Sequence, residues 1–243
     1  YDGFDLISIQ IMDAKQPQAQ KQHVCIYLRK NLLVFIGKYG EYLSDAVEKI
    51  KESRIHDMGV DDMLYYILDI IVSDDFDALE LMEDKIAFLE ESVVTDRRKK
   101  CIREVMGFRR DLREMKKFYQ QMYIICTQIL ENENGVISPG TIKYFKTIRS
   151  KLDRLMNMVI SLRDYVSQVR EAYQSQVDIS QNNIMRFFTV ITSIFLPMTL
   201  IVGWYGMNLK MPEFEWEYGY LYVIILSAIM VSSLVVYFKK RKW

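Results

Sequence analysis

The sequence predicts an α+β soluble domain, truncated at its N-terminus, followed by a long helical stalk and two transmembrane helices. Three observations carry that expectation. Residues up to Arg186 are rich in Lys, Arg, Asp and Glu, whereas the rest of the chain is mostly apolar. A heptad pattern of apolar residues runs through the middle, with no proline or glycine between Thr141 and Leu196. Two uncharged runs, each long enough to cross a bilayer as a helix, close the chain. Together these divide it into a cytosolic domain (1–135), a stalk (136–186), a first span (187–205), an outer loop (206–217), a second span (218–238) and a basic tail (239–243).

The N-terminal part reads as strands. "DLISIQIMD" alternates apolar and polar residues, and "HVCIYLRKNLLVFIG" reads as two β-rich runs joined at Arg29-Lys30-Asn31. Because the chain opens at Tyr1 inside such a run, it is expected to be a fragment of a longer protein whose earlier strands complete a small mixed sheet. After Gly40 the period becomes helical. "EYLSDAVEKIKES" predicts a short amphipathic helix, Val60 to Val94 a long one, and Asp96 to Leu130 a third. The third carries a run of arginines and lysines from Arg97 to Lys117, which reads as a solvated face or as a surface toward anionic lipid.

"NENGVISPG" punctuates the chain before the stalk. There Phe145, Leu152, Val159, Val166 and Tyr173 recur every seven residues, and so do Ile148, Leu155, Leu162 and Val169. This seam offers a means of gathering several copies into a symmetric homo-oligomer. Nearer the membrane it turns polar, at Ser180, Gln181, Asn182 and Asn183.

Phe187 to Tyr205 and Tyr218 to Phe238 hold 19 and 21 residues without a charge. Arg186 precedes the first and Lys239 to Lys242 follow the second, whereas the intervening loop sets Lys210 against Glu213, Glu215 and Glu217. The positive-inside rule therefore predicts two cytosolic termini in a cell membrane, with the loop outside. Spacings of three and four continue from Asn182 through Met185, Phe188 or Thr189, Thr192, Leu196 and Thr199 to Gly203. Such a stripe suits either a pore lining or helix packing. The spans contain no ionisable side chain of the Asp, Glu, Lys or Arg type, which argues against a proton relay.

Balanced charge, 32 basic against 32 acidic residues, gives no reason to expect a nucleic acid partner. Three scattered cysteines (Cys25, Cys101, Cys126) and two histidines (His23, His56) make neither a disulfide framework nor a zinc cage. No nucleophile–base pair stands out, so a membrane enzyme is not expected.

Pro197, Thr199 and Gly203, the block Tyr205-Gly206-Met207-Asn208, Met211-Pro212-Glu213 and the tail "YFKKRKW" together resemble the CorA-type magnesium channel family over nearly the whole chain. The resemblance implies a funnel-shaped homopentamer passing Mg²⁺, and Co²⁺ or Ni²⁺ of similar hydrated size. It implies a filter at Gly206, Met207 and Asn208, with Asn208 ringing the outer mouth. It also implies that Asn182, Met185, Phe188, Thr192, Leu196, Thr199 and Gly203 line the path, although Phe188 stands where an aliphatic residue is expected. A ring of amide oxygens suits this ion, because Mg²⁺ loses water reluctantly and its bound waters donate hydrogen bonds to amide acceptors. Glu213, Glu215 and Glu217 would raise the local cation concentration. Family members are also expected to sense cytosolic Mg²⁺ through carboxylates between subunits. Here the candidates are Asp69, Asp74 and Asp75, but the early stalk turn carries Lys146 and Thr147, with Asp153 the nearest acid. Competing readings are a zinc or broader divalent transporter of the same superfamily, and a coiled-coil membrane scaffold that conducts nothing.

Overall fold

The computed structural model describes residues 3–37, 48, 59–94, 98–207 and 216–241. The short helix expected between Glu41 and Ser53 lies outside the described residues apart from Glu48. The chain divides into two compact units, residues 1–173 and 174–243.

The first unit opens with three antiparallel strands in sequence order: β1 (Asp5–Ile11), β2 (Gln22–Arg29) and β3 (Leu32–Gly37). The register sets Ile7 opposite Ile26 and Ile9 opposite Val24, so the apolar members of the alternation share one buried face. Leu6, next to Ile7 in sequence and on the opposite face, is exposed. The expected turn is the two-residue link Lys30-Asn31, with Arg29 the last residue of β2, paired to Leu32.

Among the described residues the sheet is followed by α1 (Val60–Ile71), α2 (Asp75–Val94), α3 (Arg98–Glu131) and α4 (Pro139–Tyr205), the last of 67 residues and continuing into the second unit. Leu64, Ile67, Leu68 and Ile71 form the buried stripe of α1. Gln121 of α3 donates to the Ser8 carbonyl of β1 at 3.0 Å, and Glu114 pairs with Lys21, which ties α3 to the sheet.

The single helix expected from Val60 to Val94 is two. Val72 and Ser73 donate to the carbonyls of Asp69 and Ile70, tightening the end of α1, and the Asp74 carbonyl accepts from Ala78 to begin α2. The Ser73 hydroxyl lies 2.9 Å from the Ile70 carbonyl and 3.0 Å from Asp74 Oδ1. Short polar side chains that bond to nearby backbone compete with helix continuation, and Ser73-Asp74-Asp75 places three in a row.

Between α3 and α4 the backbone reverses through Asn132 at φ 47° and Gly135 at φ 59°. Asn132 closes the turn by exchanging side-chain bonds with the backbone of Ile137 at 2.9 and 3.0 Å. Ser138 caps α4, Pro139 occupies the first helical position, and two carboxylates of α1 meet this helix start. Asp61 accepts from the Ser138 N–H (2.9 Å) and hydroxyl, and Asp62 accepts from the Thr141 hydroxyl at 2.8 Å. Burial raises the Asp61 pKa, but bonds from Ser138 and Thr141 outweigh it and hold the carboxyl below its ordinary 3.8. A depressed carboxyl stabilises the fold above its unfolded value and loses that contribution as pH falls through the folded one. Asp61→Asn should therefore flatten part of the acid-unfolding limb below about pH 4, as followed by circular dichroism.

The heptad residues of α4 from Phe145 to Val169 are at most 3% exposed in the single chain. Phe145 packs edge-on to Tyr65 of α1, Tyr165 donates to Glu90 of α2, and the Arg154 guanidinium lies over the Phe76 ring. This corrects the expectation that the seam gathers copies. A seven-residue repeat specifies that one face needs an apolar cover, not whose, and here the chain's own helices supply it. Leu155→Ala should cost about 2–5 kcal/mol as a core truncation. The loss should be independent of protein concentration in thermal unfolding, whereas a seam between copies would make it concentration-dependent.

Candidate functional site

The second unit holds the last part of α4 and α5 (Gly219–Lys240). No residue in the apolar windows of these two helices is buried by the described chain. Leu196 and Leu200 are 65% and 67% exposed, with Phe187, Phe195 and Ile229 similar. Each such side chain left in water forgoes about 1.5–3 kcal/mol, so these helices need lipid or neighbouring protein around them. The ends of α5 carry groups that suit a membrane–water boundary. Trp216 packs against Tyr218 and Tyr222 at one end, and Arg241 lies 5.6 Å over the Tyr237 ring at the other.

Along α4, Asn182, Met185, Phe188, Thr192, Leu196, Thr199 and Gly203 are all exposed, and an unbroken helix carries them at spacings of three and four. Phe188 stacks edge-on with Phe187 at 5.9 Å. The hydroxyls of Thr189, Thr192 and Thr199 each donate at 2.8 Å to the carbonyl four residues earlier. Their protons are thus used within the helix, and their oxygen lone pairs remain the outward polar feature. Among the described residues nothing beyond the adjoining backbone of α4 itself comes within 4 Å of a Cβ built on Gly203.

The helix closes at Gly206, whose N–H bonds to the Val202 carbonyl at 2.8 Å, and Met207 donates to Trp204 at 3.3 Å. A Cβ at Gly206 would stand 2.8 Å from that same carbonyl, a backbone atom with little room to yield, so the tight ending suits glycine. Asn208, Glu213 and Glu215 lie outside the described residues; Glu217 is described and exposed.

The three acids considered for sensing Mg²⁺ lie around the α1–α2 break in the first unit. Asp69 pairs with Lys151 of α4 at 3.1 Å, and Asp74 approaches Lys15 at 3.8 Å. Asp75 is 1% exposed, and the Tyr119 hydroxyl faces it. Burial, partly offset by Tyr119 and Lys151, raises its pKa to about 7. Mg²⁺ requires an octahedron of oxygens and keeps most of its waters. Among the described residues of the single chain no three His, Cys, Asp or Glu side chains gather to hold a metal. Lys151 escaped the sequence reading because its partner is 82 positions away and no local pattern marks the pair.

A family model described as CorA-like Mg²⁺ transporter protein matches residues 1–241. The chain belongs to the CorA-like family. Over 244 residues it is 31% identical to the cobalt/magnesium transport protein CorA of Thermotoga maritima, covering 99% of this chain and 70% of that one. It is 28% identical over 249 residues to the putative metal ion transporter YfjQ of Bacillus subtilis, covering 100% of this chain and 76% of the other. The CorA magnesium transporter structure from Methanocaldococcus jannaschii superposes with a TM-score of 0.86 at 21% identity, covering 98% of this chain and 76% of that one. That last likeness establishes the CorA fold: a small sheet domain, a long helix and a C-terminal apolar helix. This CorA-like chain is a membrane protein, and its family is one of transporters.

Proposed function

We propose that this chain is the subunit of a channel for passive Mg²⁺ influx, with Co²⁺ and Ni²⁺ as further permeant ions. Copies assemble symmetrically, as a pentamer, in the cell membrane with both termini in the cytosol. The stripe of α4 from Asn182 to Gly203 lines the path, and Asn208, presented by the Gly206-Met207 turn, ropes hydrated ions through a ring of amide oxygens. Glu213, Glu215 and Glu217 draw cations to the outer mouth. The chain works as a conduit and not as a catalyst.

One observation carries this reading: in a chain that matches a CorA-like family model over residues 1–241, the charge-free last part of α4 leaves its hydroxyl-bearing stripe exposed and ends at Gly206-Met207. The named activities of the relatives in Thermotoga maritima and Bacillus subtilis support metal-ion transport by the same body. The test is Mg²⁺ uptake into proteoliposomes, reported by an entrapped indicator. Uptake should rise with an imposed inside-negative potential, as passive cation entry requires. Liposomes that take up no more Mg²⁺ than protein-free ones, with assembly intact, would overturn the proposal in favour of a membrane scaffold.

A further inference from the structure

Lys151 links two helices that are distant in sequence. Its ammonium on α4 lies 3.1 Å from Asp69 Oδ1 at the end of α1, with the lysine 24% and the aspartate 38% exposed. It also faces the buried Asp75 across the α1–α2 break electrostatically. Asp74, the remaining acid of the group, has Ser73 and Lys15 beside it. The acidic face therefore carries its own cations.

An ammonium and a hydrated divalent ion compete for the same carboxylate on unequal terms. The lysine is tethered to a helix that is capped and packed, so its effective concentration at Asp69 is high. It donates hydrogen bonds directly, whereas Mg²⁺ must shed or share tightly held water. An arriving Mg²⁺ would meet a carboxylate whose charge is already neutralised, with a positive group beside it. We propose that Lys151 is the resident counter-ion of this face, binding α1 to α4 in place of a divalent cation, so that this contact is insensitive to Mg²⁺. The proposal concerns the soluble unit and does not depend on the channel reading.

Hydrogen–deuterium exchange of the full chain in detergent, read on peptides spanning 60–72 and 145–158, tests it locally. MgCl₂ is compared with NaCl at matched ionic strength. Wild type should exchange at the same rate in both salts, within about twofold. Lys151→Arg should behave like wild type. Lys151→Asp, which sets a second carboxylate opposite Asp69, should exchange faster in NaCl and recover protection in MgCl₂ only. Wild-type protection that rises by about tenfold or more with Mg²⁺, and no longer does so in Asp69→Asn, would overturn the proposal. So would a Lys151→Asp variant that is unchanged in NaCl, or one loosened there without rescue by Mg²⁺. Should that variant fail to fold, the wild-type and Lys151→Arg comparisons still decide. Because the readout lies in the first unit, the result stands whatever the flux assay returns.

Discussion

Proteoliposomes carrying Asn208→Ala should take up Mg²⁺ more than tenfold more slowly than wild type at equal assembly, since a ring of several amides would lose hydrogen bonds of about 1 kcal/mol each. The argument is chemical. A filter for Mg²⁺ that does not strip the ion must recognise its first-shell waters, and those waters present hydrogens outward. Amide oxygens accept them, whereas an alanine methyl offers nothing. Asn208→Asp should also slow flux, for the opposite reason. A ring of carboxylates holds a divalent ion too firmly to release it, so uptake should saturate at lower Mg²⁺ while its maximum falls. Alanine and wild-type proteins conducting equally would leave a pore with its filter elsewhere.

Asp75→Asn should stabilise the protein at pH 8 and leave it unchanged near pH 4. Burial raises this carboxyl from an ordinary 3.8 to about 7. The fold therefore favours its protonated form. Below the unfolded value the acid is neutral in both states and imposes no penalty. As pH climbs from there to about 7 the unfolded chain ionises first, stability falls, and above 7 the full penalty remains. A shift of about three units corresponds to roughly 4 kcal/mol as an upper figure. Asparagine keeps an acceptor for Tyr119 without the charge, so thermal unfolding at pH 8 should recover most of that difference. An equal gain at pH 4, or a loss at pH 8, would rule out ionisation as the cause.

Most of the fold was legible in the sequence, because alternation and helical period report which face needs cover. The strands, the turn at Lys30-Asn31, the third helix and the continuous stalk all follow from such local patterns. Two features were not legible. The break between α1 and α2 is marked by the Ser73 hydroxyl, which bonds to the Ile70 carbonyl and lies against the Asp74 carboxylate, within a stretch whose apolar spacing hardly falters. The seam of α4 looked like a contact between copies, since periodicity cannot name its partner. At the candidate site, sequence placed the stripe on one helix. The bonding of its threonines and the crowding at Gly206 required coordinates, as did the pairing of Asp69 with Lys151.

The back-bonded threonines bear on the sign of the ion. Water around a cation turns both its hydrogens outward, whereas water around an anion keeps one hydrogen and its lone pairs outward. Thr192 and Thr199 have given their protons to Phe188 and Phe195, so the polar group each presents is an acceptor. A cation's shell can spend every outward hydrogen on such acceptors, whereas the lone pairs of an anion's shell find no donor in these hydroxyls. Where these two residues face a path, they favour the cation's water over the anion's, in a helix that carries no charge between Arg186 and Gly206.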